Sequence, residues 1–296
     1  MPLESWTATK ANLDRRGDHT KPNEDAHVAD NEAGVFAVAD GVSSYWPEGQ
    51  PYSGSARGGP AARTLVTAVH EFILSQEPDG LNDMEHLLRL AFRSANIRIG
   101  SMHSHPDRTD HLYGYPGAVA TVVMIRDSRA SWVHLGDTIL LHLPATGGAD
   151  PLTRNQIESF TGWRERCRGQ YPFDVRGAEA HIRVARDIRN KSGHAESFGV
   201  LTGEPDALHF VETGSLLLAP GDHLVLLTDG FQHLWKAQGI NPYRTRGVQG
   251  LPVAQWEFLH FLRSHALCEF IESAEKADTL EGARSDDKTV VVVQNK

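Results

Sequence analysis

The sequence predicts an α+β fold. Three observations carry this: brief β-branched runs bounded by Gly, Asp or Pro, longer stretches with apolar residues every three or four positions, and the order in which the two occur. Runs that read as strands follow one another in hairpin order and the helical stretches gather in blocks, which argues against alternating βαβ units. Taken in order, strands are expected just after Asn23-Glu24-Asp25 and at 34–39 (GVFAVA), 118–125 (AVATVVMI), 130–135 (ASWVHL), 139–143 (ILLHL), 216–219, 224–228 and 289–294. The stretch 56–76 places Ala61, Leu65, Ala68, Val69 and Phe72 on one helical stripe, and 83–99 does the same with Leu87, Leu90, Ala91 and Ser94. A third helix is expected over 253–277, with Phe258, Phe261, Leu262 and Phe270 along its apolar side. Such stripes need a sheet to cover.

No repeat, low-complexity tract or Pro/Gly/Ser linker divides the 296 residues, so a single domain is expected over 1–296. Within it, 151–196 reads as an insertion: eight arginines and Lys191 stand against six acids, a local charge of +3, which leaves −12 for the remainder. The whole chain has 38 Asp+Glu against 29 Lys+Arg, and a net charge of −9 lacks the basic face that nucleic acid requires. Cys167 and Cys268 lie about a hundred residues apart and form neither a disulfide framework nor a zinc motif. With no apolar leader and no run of roughly 18 apolar residues, a cytoplasmic protein without a membrane partner is expected, most simply a monomer.

Acidic residues recur at the ends of these expected strands. Asn23-Glu24-Asp25 precedes one, Asp40-Gly41 follows GVFAVA, Asp229-Gly230 follows LVLLT, and Asp286-Asp287 precedes TVVVV. Any single Asp-Gly is explained by its aptness for turns. Four such groups together suit a site that binds a hard cation through oxygen, since Mg²⁺ and Mn²⁺ prefer carboxylate, carbonyl and water ligands.

The ordered motifs NEDAH (23–27), VFAVADG (35–41), GAVATVVMI (117–125), VHLGDT (133–138), LAPGDHLVLLTDG (218–230) and SDDKTVVVV (285–293) resemble those of the metal-dependent protein phosphatases of type 2C. The resemblance spans nearly the whole chain. It implies a four-layer α-β-β-α sandwich of two antiparallel sheets flanked by helices, with two Mg²⁺ or Mn²⁺ ions at one end. By the same resemblance Asp40 bridges the two metals, the Gly41 carbonyl is a ligand of one, and Asp229 and Asp286 bind the other. Glu24 supports the centre, Asp25 orients a water, and Asp137 helps hold a third, weaker ion. The implied activity is hydrolysis of phosphoserine or phosphothreonine in proteins by direct attack of a metal-activated water on phosphorus, without a covalent phosphoenzyme.

Three positions depart from that pattern. Thr20 stands where the family usually has a phosphate-clamping Arg, which leaves Lys21, Arg16 and Arg15 as substrate-side cations, although a Lys is a point charge and not a bidentate fork. Val42-Ser43-Ser44 replaces the usual Met-Gly-Gly or His-Gly-Gly, and His233 stands at an often acidic position. The insertion 151–196 falls where the family has a variable flap, and its charges either steer phosphorylated substrates or simply face water. Altered in this way, the substrate side also suits a small phosphorylated metabolite, and a catalytically silent partner-binding scaffold is the reading of a different class. His103, His105 and His111 read as solvated loop histidines, and GQPYSGSARGG lacks the Lys-Ser/Thr of a nucleotide-binding loop.

Overall fold

Alternation along the strands divides their side chains between different cores, and that division builds the molecule. In the computed structural model, which describes residues 2–11, 23–42, 58–76, 83–102, 116–161, 188–244, 259–281 and 286–296, there are two five-stranded sheets. The first has the order β1-β10-β9-β6-β7, with β1 Leu3–Lys10, β6 Ile139–Leu143, β7 Asp150–Pro151, β9 His223–Leu227 and β10 Lys288–Asn295. The second has the order β2-β3-β4-β5-β8, with β2 Ala26–Asp30, β3 Val35–Val42, β4 Gly117–Arg126, β5 Arg129–Leu135 and β8 Glu212–Leu217. Every pairing within the two sheets is antiparallel.

Phe36 and Val38 of β3, Val123 and Ile125 of β4, Leu224 and Leu226 of β9, and Val291 and Val293 of β10 meet between the sheets. Their neighbours in sequence point the other way, as a period of two requires. Val35, Ala37 and Ala39 pack outward against helices α1 (Gly58–Leu74) and α2 (Met84–Met102). Val225, Leu227, Val290 and Val292 pack outward against α3 (Gln232–Ala237) and α5 (Leu267–Leu280), the latter following the short α4 (Leu259–Arg263). Helix, sheet, sheet and helix thus form the four layers that the sequence resemblance implies. No helix among the described residues is long and apolar enough to cross a membrane.

Four details differ from expectation. The strand expected at 216–219 is Glu212–Leu217, because its register is fixed by pairing with β5, from Glu212 opposite His134 to Leu217 opposite Arg129. Leu218 and Ala219 instead enter a turn in which the Ala219 N–H donates to Asp222 Oδ2 at 2.9 Å. The helix expected across 253–277 is interrupted between α4 and α5, where His265 adopts φ 62° and stacks on Trp6 with ring centroids 3.3 Å apart; Phe258 lies outside the described residues. On α2 the apolar stripe runs through Leu87, Leu88, Ala91, Phe92, Ala95 and Ile99, leaving Leu90 exposed. Finally, β1 and β7 are strands without an apolar run that would predict them.

The roots of the insertion meet. Phe160, in its first part, and Phe198, just after it, have ring centroids 4.9 Å apart and join Val119, Ile188 and Val200 in a small apolar cluster. Residues 162–187, including Cys167, lie outside the described residues, as do 103–115 with their three histidines.

Candidate metal centre

Register alone brings the acidic segments to one end of the sandwich. Ala26 pairs with Ala39, so Glu24 and Asp25, just before β2, lie beside Asp40 and Gly41 at the end of β3. In the other sheet Leu227 is opposite both Val290 and Ile139, so the end of β9 faces the starts of β10 and β6. That arrangement gathers Asp229, Asp286-Asp287 and Asp137 at the same edge. Two hydrogen bonds then tie the sheets together there: the Glu24 N–H donates to Asp287 Oδ2 at 2.7 Å, and the Thr228 hydroxyl donates to Asp25 Oδ2 at 2.8 Å.

Backbone contact sets the spacing. A side chain on Gly41 would begin 2.4 Å from the Gly58 carbonyl carbon, so the end of β3 touches the N-terminal end of α1 main chain to main chain. Helix α1 has no acidic residue in its first turn, and the Gly58 N–H donates instead to Glu24 Oε1 at 3.0 Å. Glu24 therefore anchors a helix end as well as lining the centre. Asp137 is held by its turn: the Tyr243 hydroxyl donates to the Asp137 carbonyl at 2.6 Å, and Gln156 Oε1 accepts the Gly136 N–H at 2.9 Å. Beneath the turn, His134 is hydrogen-bonded to Thr121 at 2.9 Å and to the Arg154 carbonyl at 2.9 Å; burial pulls its pKa down to about 4, so it is neutral at pH 7.

The carboxylates repel one another. Burial first, then the charges of Asp229, Asp25, Asp286 and Asp137, push Asp40 well above the usual carboxylate range. Asp229 is raised in the same way, by burial and then by Asp137, Asp286 and Asp25, and it shares a hydrogen bond with Asp40. Burial raises Asp25 to about 7 against the opposing hydrogen bonds of Thr228 and Thr289, and raises Asp137 to about 6 with help from Asp286. All the donors are oxygen, and among the described residues no cation offsets the repulsion on these four. Among the described residues no three His, Cys, Asp or Glu side chains are drawn close enough to grip one ion. The donor set nonetheless fits a hard divalent cation, whose charge would remove the repulsion that raises these groups.

Of the residues singled out from sequence, Glu24, Asp25, Asp40, Gly41, Asp137, Asp229 and Asp286 come together at this edge. Arg15, Arg16, Thr20 and Lys21 lie outside the described residues. The sequence assigns no role to Thr228, Tyr243 or Lys288, and reads Asp287 only as the second acid of the Asp286-Asp287 pair. Thr228 and Lys288 adjoin the acidic motifs; Tyr243 has no local signal.

No family model and no curated protein matches the sequence. The architecture, however, is that of the serine/threonine phosphatases of the type 2C (PPM) class. The Mycobacterium tuberculosis serine/threonine phosphatase PstP/Ppp superposes with a TM-score of 0.61 over 100% of both chains at 21% identity. The S. agalactiae serine/threonine phosphatase gives 0.60 over 99% of this chain and 100% of that one at 18% identity. The catalytic domain of PstP, solved with two manganese ions, gives 0.59 over 99% and 98% at 21% identity. At these identities the likeness establishes the fold.

Proposed function

We propose that the protein is a Mg²⁺- or Mn²⁺-dependent phosphomonoester hydrolase that acts on phosphoserine or phosphothreonine in proteins. The observation that carries this reading is the gathering of six carboxylates, from five separate segments, at one edge of the sandwich, where burial and mutual repulsion raise Asp25, Asp40, Asp137 and Asp229. Asp40, Asp229 and Asp286, with the Gly41 carbonyl, would hold two ions, Glu24 would support them, and Asp137 would take a third, weaker one. The bound ions would supply Lewis-acid stabilisation of a phosphate and lower the pKa of water. Asp25, raised to about 7, would hold or release a proton at Oδ1 near neutral pH while Thr228 fixes Oδ2. Lys21, Arg16 and Arg15 would meet the substrate phosphate. The same reading takes 1–296 as one monomeric, cytoplasmic domain with 151–196 as a flap.

Mn²⁺-dependent hydrolysis of an aryl phosphate and of a phosphopeptide tests this. Asp40→Ala and Asp229→Ala should each lower kcat/KM by about 10³ or more, roughly 4 kcal/mol of transition-state stabilisation. A wild-type protein inactive on both substrates, or activity that survives either substitution, would overturn the reading. A silent scaffold predicts no Mn²⁺ binding by calorimetry, and nothing in partner binding requires carboxylates held at the expense of stability.

A further inference from the structure

Beside the carboxylate edge lies a cavity of about 620 Å³, bounded by the root of the insertion, by the segment leading into β8, and by residues 241–244. Its size falls within the roughly 300–1,000 Å³ of sites that enclose a drug-sized ligand. Tyr243 is the shared wall: it lines the cavity, its hydroxyl reaches the Asp137 carbonyl at 2.6 Å, and Asp137, Asp229, Asp40 and Glu158 all act on its phenol. An occupant of the cavity is therefore adjacent to the proposed reaction centre.

The lining says what kind of occupant fits. Arg154 and Arg244 are matched by Glu158 and Glu212, so the cavity holds no excess positive charge for a second phosphate. A polyphosphorylated small molecule is poorly served there. Two of the polar groups are already engaged, Arg154 in an ion pair with Glu212, and Gln156 with the Gly136 N–H and the Phe210 carbonyl. Among the described residues Arg244 and Glu158 have no ion-pair partner. Both are exposed; one offers guanidinium N–H donors and the other carboxylate acceptors, the two kinds of group that an extended main chain needs for its C=O and N–H.

We propose that this cavity is a peptide subsite, which receives the residues flanking a phosphorylated side chain delivered to the carboxylate edge. The inference rests on the phosphohydrolase reading and selects, within it, protein over small metabolite. Ser159 lines the cavity at an exposed position that tolerates a large side chain without disturbing the core. In the full-length Mn²⁺-loaded protein, kcat/KM for a nine-residue phosphopeptide should exceed that for free phosphoserine at least tenfold. Ser159→Trp should abolish that preference through KM, leave kcat/KM for an aryl phosphate within twofold, and be echoed more weakly by Arg244→Ala. A preference that is absent in the wild type or survives Ser159→Trp overturns the proposal, and so does an equal loss on the aryl phosphate. Absence of any aryl phosphate hydrolysis sinks the phosphohydrolase reading instead. In that event fluorescence anisotropy of the same labelled peptide decides the cavity: tenfold weaker binding to Ser159→Trp supports it, and unchanged or undetectable binding overturns it.

Discussion

Lys288 and Asp278 form an ion pair whose side chains are 1% and 4% exposed, and Lys288→Met is the perturbation that tests what the pair does. The ammonium donates to Asp278 Oδ2 at 2.7 Å and to the Asp286 carbonyl at 3.1 Å, so it ties helix α5 to the turn that carries Asp286. Methionine fills much of the same volume and removes the charge. The Asp278 carboxylate, one oxygen of which already has no hydrogen-bond partner, is then left buried and uncompensated, at a cost of about 3–5 kcal/mol. At roughly 2 °C per kcal/mol for a chain of this size, Tm should fall by about 6–10 °C, and urea unfolding should show the same loss at an unchanged slope. Lys288→Met/Asp278→Leu removes both charges and should recover most of that stability, because a buried ion pair contributes little over apolar packing. Neither variant restores the donor to the Asp286 carbonyl, so both should bind Mn²⁺ more weakly by calorimetry. A loss below 1 kcal/mol in the single variant, or a double variant no more stable than the single, would refute the argument about burial. Full Mn²⁺ affinity in the double variant would refute the positioning role.

Asp25 gives a pH test. Its folded pKa of about 7 lies above the ordinary 3.8, so between these values the folded chain binds more protons than the unfolded one and stability falls as pH rises. Above pH 7 the full penalty stands, up to roughly 4 kcal/mol. Asp25→Asn, which can still accept from Thr228, should therefore stabilise the metal-free protein at pH 8 and scarcely change it at pH 4, measured as urea midpoints; an offset independent of pH would contradict the assignment. Gly230→Ala would set a methyl 2.0 Å from the Asp287 carbonyl oxygen, so the turn carrying Asp286 must shift. Lower Tm and at least tenfold weaker Mn²⁺ binding are expected, and unchanged values would show that the contact yields easily.

What could be read from sequence was set by local chemistry. The strands of the two sheet centres are legible because both of their faces are buried, which leaves continuous apolar runs such as Val290–Val293 and Leu224–Leu227. Edge strands have no such constraint. LESWTATK pairs only with β10 and is mostly half-buried, so it shows neither a run nor a clean alternation. The break between α4 and α5 was hidden for another reason: no Pro or Gly marks it, and the left-handed His265 is accompanied by a stacking contact with Trp6, some 260 residues away.

The same distinction separates the legible part of the site from the rest. Asp40, Asp229 and Asp286 stand at strand ends, where sequence position already implies a common edge once the strands pair. Tyr243, by contrast, reaches Asp137 from 106 residues away. Thr228 meets Asp25 across 203 residues, and the Glu24 amide meets Asp287 across 263. These contacts position the carboxylates, and they work against relaxation: Asp25 is held by Thr228 and Asp137 by its turn, so mutual repulsion is met by raised pKa values and not by the groups moving apart. A fold that keeps such a set together at a cost in stability departs from the local consistency of its cores, where apolar side chains of the right period face one another throughout. Departures of this kind belong to functional sites. The carboxylate edge is therefore better explained by the cation it would bind than by any contribution to folding, and the pH response of Asp25→Asn measures that cost directly.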